Sequence, residues 1–192
     1  MKYRMIIVEG PQGTGKTTLA NYLRENISGS NLYRLSGQKD KTIKGKKASE
    51  KMYYALLDYL KNMEDVPMDL IFDRTFFSEE VYARLGFKEY SFSDVYEKLL
   101  KKLSKLDFDI YYISLYLKND DLFIERLARD HHHNYQAFSK ENSVKQQNEY
   151  RSIAKDLKNI PTINVQEIAM DDFEKAYKKI NKLFNINNEW KD

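Results

Sequence analysis

Gly10-Pro11-Gln12-Gly13-Thr14-Gly15-Lys16-Thr17 fits the phosphate-binding pattern G-x-x-x-x-G-K-[ST] at every fixed position, and Thr18 follows it directly. The pattern has a mechanism. Its glycines let backbone N–H groups ring a phosphate, the next helix offers its positive end, the lysine reaches the outer phosphate oxygens and the Ser/Thr hydroxyl ligates Mg²⁺. Gly10, Pro11, Gln12, Gly13, Thr14, Gly15, Lys16, Thr17 and Thr18 are thus the expected nucleotide-binding residues, with Thr17 as the Mg²⁺ ligand.

The flanks supply the context such a loop needs. Arg4-Met5-Ile6-Ile7-Val8 reads as a short buried strand before it, and Thr18 to about Ile27 has helical spacing after it, with a stop at Ser28-Gly29-Ser30. Further along, Asn31–Leu35, Asp69–Asp73, Phe108–Leu117 and Pro161–Val165 read as strands. Helices are expected from Ala48 to before Pro67, over Thr75–Leu85, from Ser93, over Asp121–Asp130, from about Lys140 to Lys158 and over Met170–Phe184. Ser36–Lys47, with Lys39, Lys41, Lys44, Lys46 and Lys47, reads as a solvated polar connection, and His131–Ser139 as a loop. Five strands alternating with helices imply an α/β fold whose parallel sheet is covered on both faces. Ligands of such sheets sit at the carboxyl ends of the strands, which is where Gly10, Arg34, Asp73 and Lys118 fall.

Composition narrows the classes. The 192 residues, undivided by any Gly/Ser/Pro-rich linker, read as one domain over 1–192. There is no cysteine, which excludes disulfides and thiolate chemistry. The apolar run at the N-terminus stops at Glu9, too short for a signal core or a membrane span, so a soluble cytoplasmic chain with no membrane partner is expected. Thirty-two basic and 29 acidic side chains leave a net charge of +3, which gives no bulk argument for nucleic acid.

A phosphate loop serves many chemistries, and its companions separate them. The guanine-reading string Asn-Lys-x-Asp is absent, as is an apolar run ending in Asp-Glu. Phosphoryl transfer to a small acceptor asks instead for cations around the migrating group and a base aimed at the acceptor. Asp73-Arg74 follows the third strand directly and projects into the crevice beside the loop; Asp73 is a base or a metal partner. Glu9, ending the first strand, is a second base candidate or a partner to Mg²⁺. Arg126 and Arg129, three apart on one helix face, stand at the entrance of a lid over about 126–142. Phe77 or Tyr82 offers an aromatic face for an acceptor base. The adjacent imidazoles His131-His132-His133 do not converge on one ion and read as polar loop.

Glu9 to Thr18, then Asp73-Arg74-Thr75, then Glu125-Arg126-Leu127-Ala128-Arg129 together resemble the thymidylate kinase and deoxynucleoside kinase group of P-loop kinases. The resemblance covers most of the chain in order and spacing. It implies a three-layer fold with sheet order 2-3-1-4-5, ATP and Mg²⁺ as cofactors, and a small nucleoside or nucleotide acceptor, a dTMP-like monophosphate being favoured. It also implies that Lys16, Asp73, Arg74, Arg126, Arg129 and Glu9 carry catalysis, and that Arg34, Arg74, Phe77 and Tyr82 bind the acceptor. A homodimer through the helices from Ala48 and Ser93 belongs to the same expectation. Gln12 stands where thymidylate kinases usually carry a carboxylate. A deoxynucleoside kinase acting on the 5′-hydroxyl, or a non-catalytic module for nucleotides or nucleic-acid 5′ ends, is the alternative reading.

Overall fold

The computed structural model of the protein describes residues 2–35, 37–129 and 138–187. Its centre is strand β1 (Arg4–Glu9), whose Met5, Ile6, Ile7 and Val8 are buried on both faces, as a middle strand of a parallel sheet requires. β3 (Asp69–Asp73) flanks it on one side and β4 (Asp109–Tyr116) on the other. β2 (Ser30–Arg34) and β5 (Ile163–Ala169) form the edges, giving the expected all-parallel order β2-β3-β1-β4-β5.

Strand alternation sorts side chains into two layers. Met5, Ile7, Leu70, Phe72, Ile110 and Tyr112 join one core with α2 (Ile43–Asn62), α3 (Phe76–Arg84), α4 (Ser93–Leu103) and α6 (Lys140–Leu157). Ile6, Val8, Ile71, Ile113 and Leu115 join the other with α1 (Lys16–Asn26), α5 (Leu122–Ala128) and α7 (Phe173–Phe184). The same parity turns Glu9 toward α3 and α6, and Asp73 toward α1.

Among the boundaries that differ from those read in the sequence, three have a clear local reason. α2 begins at Ile43 rather than Ala48, so Lys44, Lys46 and Lys47 ride on a helix and not in a loop. Thr42 caps it by accepting from the Lys44 N–H, and Asp40 accepts from the Thr42 N–H at 2.9 Å and its hydroxyl at 2.7 Å, closing the preceding turn. β5 continues to Ala169 because β4 offers partners as far as Tyr116, while its polar Glu167 is held by Arg151 and Lys158. α7 starts only at Phe173, after Asp172 caps it by accepting from the Lys175 N–H. The His131–His133 run and residues 130–137 of the expected lid lie outside the described residues. Among the described residues no helix is long and apolar enough to cross a membrane.

Candidate active site

The phosphate loop bends back at the end of β1 because three of its glycines hold positive φ: Gly10 at 146°, Gly13 at 81° and Gly15 at 84°. At Gly10 the requirement is steric as well, since a Cβ would stand 2.6 Å from the Leu115 carbonyl oxygen of β4. The Thr14 hydroxyl donates to the Pro11 carbonyl at 2.8 Å, and the Lys16 ammonium to the same oxygen at 2.6 Å. Lys16 is therefore curled over its own loop, where a phosphate oxygen would take the place of Pro11. A concave backbone, a lysine inside it and a hydroxyl at its rim fit the phosphates of a nucleotide.

Thr17 and Asp73 meet at this rim. The Thr17 hydroxyl donates to the Asp73 carboxylate at 2.7 Å, although the two lie far apart in sequence. β3 brings Asp73 there through its register beside Val8. A loop hydroxyl facing a carboxylate at the end of a neighbouring strand is a donor set suited to Mg²⁺.

Arg74 follows in the left-handed region, with φ 73°, its N–H donating to the Val8 carbonyl at 3.2 Å. A non-glycine residue held there stores backbone strain, and it turns this guanidinium toward the loop. Arg74 donates to the Gln12 side-chain oxygen and, at 3.3 Å, to Ser78 Oγ. The same Gln12 oxygen lies 3.5 Å from Lys16 Nζ, so two cations share one neutral amide.

Glu9 is sealed from solvent. Its carboxylate accepts from the Thr75 N–H at 2.7 Å, from the Thr75 hydroxyl at 3.2 Å and from the Ser78 hydroxyl at 2.7 Å. Because Ser78 spends its proton on Glu9, the 2.8 Å contact between Ser78 and Tyr150 has the tyrosine as donor. Burial raises the Glu9 pKa to about 7, against the Ser78 bond, the Arg74 charge and the Thr75 N–H, which pull it down.

On the β4/β5 side of the loop a cavity of about 270 Å³ opens between Gly13, Lys16 and Thr17 on one wall and Arg126, Arg129 and Phe173 on the other. Arg126 donates to the Gly13 carbonyl at 3.3 Å and the Met170 carbonyl at 2.7 Å, and its guanidinium lies 4.9 Å from the centre of the Phe173 ring. Arg129 pairs with Glu125. On the β2 side, Arg34 is exposed and donates to Asn21 of α1, in register with Asp73.

The two aromatic candidates part company. Tyr82 is half-buried, edge-on to Phe87. Phe77 is fully buried, with its ring between Phe76, Tyr96 and Tyr112, so it faces the core and not the crevice. Ser78, Tyr150 and Phe173 belong to the site and were not singled out from the sequence. Two of them carried a usable signal: Ser78 stands one helical turn beyond Arg74, and Phe173 follows the end of the last strand.

No protein-family model matches the chain, and no curated protein matches it. Solved structures share its fold. The chain superposes on a thymidylate kinase from Candida albicans with a TM-score of 0.64 at 16% identity, covering 100% of this chain and 96% of that one. It superposes on a deoxyadenosine kinase from M. mycoides, solved with dCMP and dCDP, with a TM-score of 0.64 at 17% identity, covering 94% and 98%. The same enzyme with dATP gives 0.60 at 19%, covering 94% and 99%. What these likenesses establish is the three-layer P-loop kinase fold.

Proposed function

We propose that the protein is an ATP-dependent nucleotide kinase that moves the γ-phosphoryl group of ATP to a (deoxy)nucleoside 5′-monophosphate, with a dTMP-like acceptor favoured. The observation that carries this reading is the pair of cations, Arg74 and Lys16, converging on the neutral oxygen of Gln12. The amide is neutral, so both positive charges remain to attract phosphate. Arg34, at the end of the neighbouring strand, adds a third cation on the acceptor side.

Each group has a role in this scheme. Bound ATP and Mg²⁺ supply the transferable group and the charge that screens it. Gly10 to Thr18 hold the donor phosphates, Thr17 and Asp73 hold the metal, and Arg126 with Phe173 walls the donor cavity. Lys16 and Arg74 stabilise the charge that develops on the equatorial oxygens, an effect that is strongest where the donors are already in position. Arg34 and Tyr82 face the acceptor.

The carboxylates favour a monophosphate over a nucleoside. A monophosphate oxygen is already anionic near pH 7, with a second pKa of about 6, so it needs no base. A 5′-hydroxyl does need one, yet Asp73 is engaged by Thr17, and Glu9 by Thr75 and Ser78.

A panel assay tests the proposal: purified protein with ATP and Mg²⁺, and ADP release measured with each nucleoside, each monophosphate and a 5′-hydroxyl oligonucleotide. Turnover is expected with at least one monophosphate. Turnover on nucleosides alone would make the protein a nucleoside kinase with Glu9 or Asp73 as base, and no turnover with any acceptor would leave a nucleotide-binding module.

A further inference from the structure

Residues 37–42 lie between β2 and the start of α2 in the chain. They are fastened by α3 and the α3–α4 connection. Lys88 and Glu79 form an ion pair at 3.1 Å, with side chains 4% and 1% exposed. Lys88 also donates to the Gln38 carbonyl at 2.5 Å, and the Tyr90 hydroxyl donates to the Glu79 oxygen that Lys88 meets. One residue on, the Glu89 N–H donates to the Lys41 carbonyl at 2.8 Å. The other Glu79 oxygen points at Gly37, where a Cβ would stand only 2.7 Å from it.

An ion pair this deep is not explained by stability, because two apolar side chains of the same volume would serve as well or better. What it supplies is direction. Lys88 has donors for both a carboxylate and a carbonyl, so it ties a fixed point on α3 to a fixed point on the segment. Tyr90 holds the carboxylate in the orientation that meets Lys88. Glu79 lies on the same helix as Ser78, which Arg74 touches, so α3 registers the segment against the phosphate site.

We propose that Glu79, Lys88 and Tyr90 are positioning residues: a buried latch that fixes residues 37–42 against α3, the helix that carries Ser78 beside Arg74, and thereby sets the affinity for the acceptor, without touching the transferred group. The part concerning the acceptor rests on the kinase reading above; the part concerning the segment does not.

The test compares the full chain with two variants. Glu79→Leu/Lys88→Met removes both charges together, so that neither is left buried alone. Gly37→Ala leaves the pair intact but places a methyl group against the carboxylate. Amide hydrogen exchange is read across the chain, and kcat and KM are read separately for acceptor and ATP. Exchange over 37–42 is expected to quicken by about tenfold or more in both variants, while the sheet keeps its protection. Acceptor KM is expected to rise about tenfold, with kcat and the KM for ATP within about threefold of wild type. Unchanged exchange over 37–42 would overturn the latch, and quickened exchange with an unchanged acceptor KM would overturn its role in affinity. If the wild type turned over no acceptor, the kinase reading would fall, and the exchange data alone would decide whether the latch exists.

Discussion

Glu9 shows how much one buried carboxyl shapes this protein. Folding raises its pKa from 4.5 to about 7. Between those values the native state holds a proton that the unfolded chain has released, so stability falls as pH rises across that window. The contribution is complete below 4.5 and is lost as pH passes about 7, a difference of roughly 3 kcal/mol. Glu9→Gln keeps the acceptor for Thr75 and gives Ser78 a donor, yet cannot ionise. Thermal unfolding from about pH 5 to 8 should therefore show a falling Tm in the wild type and a flatter profile in the variant; parallel profiles would mean that Glu9 titrates as an ordinary exposed acid. Arg74 makes the complementary case. Its left-handed backbone is natural for glycine, so Arg74→Gly should shift Tm by only a few degrees while turnover falls by at least about 10²-fold through lost charge stabilisation. A variant that keeps near-normal turnover would remove Arg74 from the reaction.

At the scale of elements, the β1–α1 turn is shaped from outside as well as from within. The Gly10 φ of 146° and the nearby Leu115 carbonyl leave no room for a methyl group, and the obstacle is backbone that cannot step aside. Gly10→Ala should weaken nucleotide binding by at least about tenfold through strain of this kind; titration calorimetry with Mg·ATP would show it, and unaltered affinity would mean that the loop tolerates a different shape. Elements also mark what the sequence reveals and what it hides. β1, β3 and β4 were legible as apolar runs because both of their faces are buried. β5 reads short in the sequence because an edge strand can carry a charged Glu167 when Arg151 and Lys158 pair with it. The first turn of α2 was hidden by its lysines, which mask a Thr42 cap visible only once Asp40 folds onto it. In the site, the phosphate loop, Asp73 and Arg74 could be read because position after a strand predicts them. Tyr150 could not, since it arrives from α6 and nothing local announces its partner.

For the whole molecule, the sheet order divides the two halves of the crevice between different parts of the chain. α5 and the start of α7 build the wall with Arg126 and Phe173, while the ends of β2 and β3 with α3 build the side with Arg34 and Arg74. A ligand that binds only the folded form stabilises it by mass action, about 2.7 kcal/mol when present at a hundred times its Kd. Mg·ATP should thus raise the Tm of the wild type, and Lys16→Ala should lose most of that rise; an equal rise in both would place the nucleotide away from the loop. The contact between Gly10 and Leu115 carries a further consequence, for the order in which the protein comes into being. The ribosome delivers the phosphate-loop sequence first, but the strand against which that loop is moulded leaves the exit tunnel only after α4 has been made. Until then the nascent chain carries the motif without its mould, and competence to capture a nucleotide comes late in synthesis although the residues that define it come first.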